Sequence, residues 1–399
     1  MEYHISDRMK TLKPSAIREI FKYAADPAVI SLAAGDPAPE TLPVEDIRRL
    51  MGEVLGENPM KALLYSQSEG HPPLRQAVRD WVKERYHSVR DDDDVMIISG
   101  AQQCMDLTCK VLCNEGDTVI CEDPSFIGSL NCFRSYNTNL VGVPIEDDGI
   151  CLEGLEDALK ANPNTRLIYV IPNFHNPTGI SMSLAKRKGV YRLAQQYGAI
   201  ILEDNPYGDL QFAGEKLPTI KSMDTDGIVV YAGTFSKILS TGIRVGYMVV
   251  PKGLTAKMTV AKQCADVHTS MPAQLLCTAF LAQCDIDAHI AGIKEIYREK
   301  CTHLLSEMEK HFPKEVSWTR PTGGLFVWVT VPERLDVQEF ATALVRDHKV
   351  CVVPGSAFGV DAQAVSHCFR VNFSMPSKEK ISTAIPIIGQ ALRAALAEK

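Results

Sequence analysis

The chain has 399 residues, too many for one ordinary core and enough for two domains. Hydrophobic residues make up 45% and charged residues 23%, the usual balance of a globular protein in water, and the formal net charge of -7 argues against binding to nucleic acid or an anionic membrane. No apolar stretch is long enough to span a bilayer and no signal-peptide pattern is present, so we expect a cytoplasmic protein.

The twelve cysteines include no C-x-x-C pair, and no histidine stands beside them at metal-ligand spacing. Many lie in apolar periodic segments, such as Cys109 and Cys113 in CMDLTCKVLC. The pattern therefore predicts buried reduced thiols and no metal site.

Apolar runs typical of buried strands alternate with helical patterns from about residue 95 to 250. The runs are VMIISG, DTVICED, LIYVIPN, AIILED, GIVVYAGT and RVGYMVV. Helical patterns such as SLAKRKGVYRLAQQYG, with Leu184, Val190, Leu193 and Ala194 roughly on one face, lie between them. This alternation predicts an α/β fold with a mostly parallel sheet covered by helices on both sides.

The pattern changes after about residue 286. A long helical pattern, DIDAHIAGIKEIYREKCTHLLSEMEKHF, precedes the alternating strands GGLFVWVTV, KVCVVPG and HCFRVNFS. We therefore predict a large domain at residues 46–287 and a smaller α+β domain at residues 288–399. Residues 1–45 are rich in proline and loop signals, and we expect them to pack on the small domain.

Polar residues follow four of the predicted strands, at the ends where ligands bind in open α/β sheets. VMIISG runs into AQQ, LIYVIPN into FHNPTG, AIILED into NPYGD, and GIVVYAGT into FSK. Each signal alone is weak, because a polar turn after a strand is usually only a turn. Their occurrence at corresponding strand ends favours one shared site.

Two of these turns predict a phosphate site. After the glycine of SGAQQ, the backbone N–H groups near Ala101 and Gln102 would point outward at a helix N-terminus. Thr234 and Ser236 add hydroxyl donors. Arg244 adds a guanidinium, which is always positively charged and presents several N–H donors, so it suits a phosphate dianion. The alternative for Arg244 is a surface ion pair.

Lys237 stands next to these donors. A lysine near other cations and partly removed from water loses proton affinity and becomes a nucleophile, whose natural electrophile is an aldehyde. Pyridoxal phosphate is a phosphate-bearing aldehyde that needs such a lysine and an acidic partner at its pyridine nitrogen. Asp204, which ends AIILED, fits that partner, and Tyr207 could hydrogen-bond the phenolic oxygen of the ring.

Taken in order, these motifs resemble the class I/II aminotransferases, pyridoxal-phosphate enzymes of fold type I, and especially the branch with 2-aminoadipate and kynurenine aminotransferases. The resemblance extends from PSAIREIFKYAADPAVISLAAGDPAPETLP to FRVNFS, nearly the whole chain. It implies a large domain with a seven-stranded-type sheet that binds pyridoxal phosphate. It also implies transfer of an amino group from 2-aminoadipate, an aromatic amino acid or another donor to a 2-oxo acid such as 2-oxoglutarate.

The resemblance extends to single positions of the cofactor site. Lys237 matches the Schiff-base lysine of the family, and Asn176 in NPTG matches the asparagine that touches the phenolic oxygen and the substrate carboxylate. Phe126 takes the ring-stacking position, where tyrosine or another aromatic is usual, so stacking is kept and a hydroxyl is lost. Tyr65 matches a tyrosine that reaches the phosphate of the neighbouring subunit, which implies a homodimer. The matches at the phosphate and the ring are Thr234, Ser236, Arg244, Asp204 and Tyr207.

Three further positions match substrate contacts. Arg370 matches the clamp for the substrate α-carboxylate, and strand alternation in CFRVNF supports this by turning it away from Phe369 and Phe373. Gly35 in LAAGDP matches a substrate-loop glycine. Arg18 matches an arginine that meets a distal carboxylate, the alternative being an ordinary surface arginine on a short amphipathic helix.

Two other functions stay open at this stage. The same residues could support β-elimination, because spacing alone does not choose among pyridoxal-phosphate reactions. The fold is also shared by effector-sensing domains of transcription regulators. Few residues precede SLAAGDP and the net charge is acidic, which disfavours a regulator.

Overall fold

The computed structural model describes residues 3–10, 12, 26–57, 59–361 and 364–397. The strands are β1 (Ile30–Ser31), β2 (Asp93–Ile98), β3 (Thr118–Asp123), β4 (Asn139–Glu146), β5 (Gly149–Ile150), β6 (Thr165–Val170), β7 (Ile200–Asp204), β8 (Val229–Thr234), β9 (Gly246–Pro251), β10 (Ser317–Trp318), β11 (Phe326–Thr330), β12 (Val350–Cys351), β13 (Val353–Pro354) and β14 (Cys368–Asn372). The helices are α1 (Asp7–Lys10), α2 (Val44–Glu57), α3 (Pro59–Leu63), α4 (Pro72–Tyr86), α5 (Gln102–Leu112), α6 (Ile127–Arg134), α7 (Leu152–Ala161), α8 (Leu184–Tyr197), α9 (Lys252–Ala265), α10 (Met271–Gln283), α11 (Ile286–His311), α12 (Val337–His348) and α13 (Lys378–Ala397).

The large sheet has the order β2-β9-β8-β7-β6-β3-β4-β5. The five strands from β8 to β4 are parallel, whereas β9 runs antiparallel to both β2 and β8. Each of the six apolar runs overlaps one strand of this sheet, which confirms the predicted α/β class. The strand β4 was not among the runs, and of its eight residues only Val143 is fully buried. The two-residue β5 adds an eighth, edge strand to the predicted seven-stranded type.

A second, antiparallel sheet has the order β10-β11-β14-β13 and follows the long helix α11. Helix α11 packs against α13, and α12 packs against β12 and β13. The short strand β1 pairs in parallel with β12, so residues 30–31 join the C-terminal part of the chain. The exact boundaries at residues 45 and 287 stay a prediction.

The interior is built from strands that are buried along their whole length. All six residues of β8 and of β9 are buried, as expected for central strands covered by helices on both faces. The twelve cysteines are free thiols. In the described part of the chain, no helix has the length and apolar character needed to cross a membrane, and no cluster of potential metal ligands is present.

Candidate active site

One cavity of about 460 Å³ lies beyond the carboxyl ends of the central strands, where the polar turns follow β2, β6, β7 and β8. It brings together residues from both sheets and from the loop after β1. Its apolar wall includes Met105, Ile127, Ile171, Phe326 and Phe358, which sequence reasoning did not single out. The predicted residues that line it are Gly35, Ala101, Gln102, Phe126, Asn176, Asp204, Tyr207, Thr234, Ser236, Lys237, Arg244 and Arg370.

The turn at Gly100 and the side chains of Thr234, Ser236 and Arg244 lie close together, and we call this group the phosphate cup. Gly100 has a φ of +80°, and a Cβ built on it would lie 2.2 Å from Nη2 of Arg244, so the guanidinium fits only against a glycine. Nη1 of Arg244 lies 3.5 Å from Oγ of Ser236, and the Ser236 and Thr234 hydroxyls are 2.9 Å apart. The helix α5 begins next to this turn, so its first N–H groups have no intrahelical acceptor. This donor set suits a phosphate dianion.

The amine of Lys237 lies between this cup and Arg370. Its Nζ donates to the backbone oxygen of Gly35 at 2.7 Å. Burial, together with the smaller effects of the Arg370 and Arg244 charges, lowers the pKa of Lys237 to about 8, and the charge of Asp36 opposes this shift. At pH 7 a lysine with such a pKa is a neutral nucleophile in roughly a tenth of the molecules, far more than an ordinary lysine.

Asp204 is buried at the end of β7, and its two carboxylate oxygens differ in their hydrogen bonds. Its Oδ2 accepts from the Tyr169 hydroxyl at 2.8 Å, and that hydroxyl in turn accepts from Oγ of Ser129 at 2.9 Å. The other oxygen, Oδ1, is buried and has no hydrogen-bond partner among the described residues. Burial raises the pKa of Asp204 to about 7, and the Tyr169 hydrogen bond opposes this. A cationic N–H donor would satisfy Oδ1 and stabilise the carboxylate.

Arg370 is a buried cation in the lining of the same cavity. Nη1 donates to Oδ1 of Asn176 at 2.8 Å and Nη2 to the backbone oxygen of Ala33 at 2.6 Å, while Nε has no partner among the described residues. The guanidinium lies over the rings of Phe326 and Phe358, 4.1 and 4.9 Å from their centroids. Burial lowers its pKa to about 10. No ion pair joins it to a carboxylate in the described structure, so an anionic ligand would balance its charge.

The remaining predicted residues differ in how close they lie to this centre. Nδ2 of Asn176 donates to the Tyr207 hydroxyl at 3.4 Å, and burial raises the pKa of Tyr207. Phe126 caps the start of α6 and is half-buried at the cavity. Tyr65 is 89% exposed and packs edge-on against His268, away from the cavity of its own chain. Arg18 lies outside the described residues.

Sequence reasoning missed Tyr169 and Ser129. In LIYVIPN, Tyr169 reads as one more apolar strand residue, and its side chain is indeed fully buried. Its neighbour across the sheet is Leu202 on β7, two residues before Asp204. The signal that could have indicated Tyr169 as a partner of Asp204 was its hydroxyl on the neighbouring strand. Periodicity does not distinguish such a tyrosine from one that only packs in the core.

The family model for aminotransferase class I and II matches residues 27–388 of this chain. The chain belongs to this family. The aromatic-amino-acid aminotransferase 1 of Thermococcus litoralis is 37% identical over 98% of this chain and 94% of its own length.

Two solved structures have nearly the same fold over nearly the whole length. The kynurenine aminotransferase of Pyrococcus horikoshii, in complex with PMP, KYN as substrates and KYA as products, has 34% identity and a TM-score of 0.94, and covers 98% of this chain and 97% of that chain. The α-aminoadipate aminotransferase LysN of Thermus thermophilus, complexed with N-(5'-phosphopyridoxyl)-L-leucine, has 33% identity and a TM-score of 0.91, and covers 99% and 98%. This chain is therefore an aminotransferase of fold type I, and its cofactor is pyridoxal phosphate.

The residues of this aminotransferase fit that cofactor. The cup at Gly100 and Arg244 suits a phosphate dianion, because the Arg244 guanidinium, the Ser236 and Thr234 hydroxyls and the first N–H groups of α5 are all hydrogen-bond donors. Gly100 lets the guanidinium approach the turn. Oδ1 of Asp204, to which no described residue donates a hydrogen bond, suits a protonated pyridine nitrogen. Lys237 offers an amine whose pKa is already lowered, as attack on an aldehyde requires.

Tyr169→Phe should shift the pH profile of the enzyme. The Tyr169 hydroxyl donates to the Asp204 carboxylate and lowers its pKa, so its loss raises that pKa and the ionised form then requires a higher pH. We expect the acid limb of the kcat/KM profile to move up by about one pH unit, the effect of one hydrogen bond to a charged group. Ser129→Ala keeps the Tyr169–Asp204 bond and should shift the limb less. An unmoved acid limb in Tyr169→Phe would show that the Tyr169 hydroxyl does not set the pKa of Asp204.

Proposed function

We propose that this aminotransferase takes its amino group from a broad range of L-amino acids, including aromatic donors and 2-aminoadipate, and passes it to 2-oxo acids such as 2-oxoglutarate. One observation carries the proposal: the buried cation of Arg370, whose Nε has no hydrogen-bond partner in the described part of the chain, lines a cavity with an apolar wall. A carboxylate and an extended apolar side chain would satisfy both features together. The names of the relatives, which act on aromatic amino acids, kynurenine and α-aminoadipate, support the same range.

Each group at the cofactor has a separate task in this proposal. When bound, pyridoxal phosphate supplies an aldehyde carbon for the amine and a protonated ring that withdraws electrons from the substrate Cα. Lys237 would hold the cofactor through its amine, and the same amine, when free, would act as general base toward the α-proton. Asp204 would keep a proton on the ring nitrogen through Oδ1, which has no hydrogen-bond partner among the described residues. Tyr207 and Asn176 would donate to the phenolic oxygen, and Phe126 would stack on the ring.

In this proposal different residues of the cavity would hold the phosphate and the substrate. We assign the phosphate to Thr234, Ser236, Arg244 and the N–H groups of Ala101 and Gln102, which form the cup described above. We assign the α-carboxylate to Arg370, oriented by its hydrogen bond to Asn176. Gly35 leaves room beside the Phe326 ring, because a Cβ there would approach the ring to 3.3 Å. Holding both the phosphate and the α-carboxylate would place the substrate Cα beside Lys237.

Arg18→Ala tests how acidic donors are recognised. The described cations that line the cavity, Lys237, Arg244 and Arg370, all have other tasks, so a distal carboxylate needs a further partner. Losing one charge-assisted pair costs roughly 1.5–3 kcal/mol, or about one to two decades. We expect kcat/KM for 2-aminoadipate to fall by that factor while phenylalanine and leucine change by only a few-fold. The measurement is a donor panel against 2-oxoglutarate, with the product oxo acids identified. Equal losses for all donors would make Arg18 structural.

The same donor panel separates the alternatives. A β-elimination lyase would release ammonia without consuming 2-oxoglutarate, whereas a transaminase converts one acceptor per donor. An effector-sensing domain would bind the cofactor without turnover. The relatives reported above align over at least 94% of their own length and are aminotransferases, which favours turnover by transamination.

A homodimer with shared active sites is part of the proposal. Tyr65 is exposed and lies away from its own cavity, next to the exposed apolar side chains of Met60, Leu63 and Leu64. Such a cluster is typical of an interface, and a partner chain would bring its Tyr65 to the phosphate. Sedimentation should show a dimer, and a fully active monomer would contradict it. A cytoplasmic location is also proposed, supported by the twelve free cysteines.

A further inference from the structure

Lys262 on α9 is a lysine without exposed side-chain surface, and it does not line the cavity. Its Nζ donates to Oε1 of Gln103 at 2.8 Å and to Oγ1 of Thr269 at 3.0 Å, and it lies 3.0 and 3.1 Å from the two carboxylate oxygens of Asp266. These acceptors satisfy all three donors of an ammonium. Apolar residues of similar volume often replace a buried ion pair without loss of stability, so packing alone does not account for this arrangement.

The partners of Lys262 converge on one residue, Ser99. Oγ of Ser99 donates to Oδ2 of Asp266 at 2.6 Å and lies 3.1 Å from Oγ1 of Thr269. The backbone N–H of Ser99 donates to Oε1 of Gln103 at 2.8 Å. Lys262 therefore acts on Ser99 through each of the three side chains that hold it.

Ser99 begins the turn that forms the phosphate cup. It is followed by Gly100 in its left-handed conformation, and Nη2 of Arg244 lies 3.5 Å from the Ser99 backbone oxygen. Gly246 packs against the far side of the turn so closely that a Cβ would lie 2.9 Å from the Ala101 nitrogen. The position of Ser99 thus determines where the N–H groups after Gly100 point.

We propose that Lys262 and Asp266 are positioning residues that hold the Ser99 turn in its phosphate-binding conformation. The inference rests on the proposed assignment of this turn and Arg244 to the cofactor phosphate. The Lys262–Asp266 pair carries no net charge, so its contribution to the phosphate is geometric rather than Coulombic. Hydrogen bonds to phosphate oxygens weaken steeply when donors lose distance or alignment, so a loosened turn should bind phosphate less well.

Two probes isolate this effect: pyridoxal phosphate, and pyridoxal, which lacks the phosphate. Their dissociation constants are measured by equilibrium dialysis on the full chain after removal of its cofactor. Lys262→Met keeps the length of the side chain and removes every donor. We expect the dissociation constant for pyridoxal phosphate to rise about tenfold or more, while that for pyridoxal stays within about twofold.

Lys221→Met is the matched control. Lys221 is also a fully buried lysine, held by Asp93 and Asp224 at 2.9 Å each, and Asp93 begins β2 whereas Ser99 follows its other end. Its loss should lower the melting temperature without changing the ratio of the two dissociation constants. A folded Lys262→Met protein with an unchanged ratio would overturn the inference, because a purely structural lysine affects both probes alike.

Two more variants keep the test decisive. If Lys262→Met does not fold, Ser99→Ala replaces it, since it removes only the hydroxyl that joins the turn to Asp266. A rise of several-fold for pyridoxal phosphate alone then supports the inference, and an unchanged ratio overturns it.

Arg244→Gln tests the underlying assignment of the phosphate site. If it also leaves the ratio unchanged, the phosphate site itself is misplaced, whereas a raised ratio in Arg244→Gln alone rejects only the role of Lys262.

Discussion

Lys237→Ala should abolish transamination while the protein still folds and binds its cofactor weakly. The substitution removes the covalent anchor and the general base together, so we expect turnover to fall by at least about 10⁴-fold. The fold should survive, because Lys237 is buried beside the like charges of Arg370 and Arg244 and its pKa is already lowered. The rate of the half-reaction with a single amino acid, followed by absorbance of the bound cofactor, measures the loss.

Lys237→Arg is the control for charge. It keeps a cation near Gly35 and the phosphate cup, but a guanidinium does not lose its proton near neutral pH and cannot act as the amine. We therefore expect it to be as inactive as Lys237→Ala. More than a trace of activity in either variant would show that another residue carries the chemistry.

Asp204→Asn should retain cofactor and lose most of the rate of α-proton removal. The Tyr169 hydroxyl accepts from Ser129 and so donates to residue 204, which would turn the amide oxygen of the variant toward Tyr169. The amide NH₂ would then face the cavity in place of Oδ1, and a donor there favours the unprotonated pyridine nitrogen. We expect a loss of about 10²–10³-fold in the half-reaction rate, typical of removing one preorganised charge.

Stopped-flow absorbance of the half-reaction and the cofactor content of the purified protein check this prediction together. Asp209→Asn is the control, because Asp209 is also a largely buried carboxylate close in sequence, but it lies outside the cavity lining and next to Arg85. It should leave the half-reaction rate within a few-fold. An unchanged rate in Asp204→Asn would contradict the assigned role.

The sequence by itself determined the features that depend on short stretches of chain. Alternation of apolar runs and helical patterns predicted the α/β sheet, because a strand buried on both faces must be apolar throughout. The polar turns after four strands indicated one site, because parallel strands end at the same edge of the sheet. Alternation along β14 predicted that Arg370 points away from the face of Phe369 and Phe373, and in the structure Arg370 lines the cavity.

Only the tertiary structure decided how these residues act on one another. The Arg370–Asn176 contact joins residues 194 positions apart, and Lys237 meets Gly35 over 202 positions. Such contacts, and the desolvation that lowers the pKa of Lys237 and raises that of Asp204, arise from packing between distant segments and leave no periodic signal. Tyr169 and Lys262 show the limit most clearly. Each was hidden in an ordinary strand or helix pattern, because the partners of a buried polar group are set by neighbours in space rather than by neighbours in sequence.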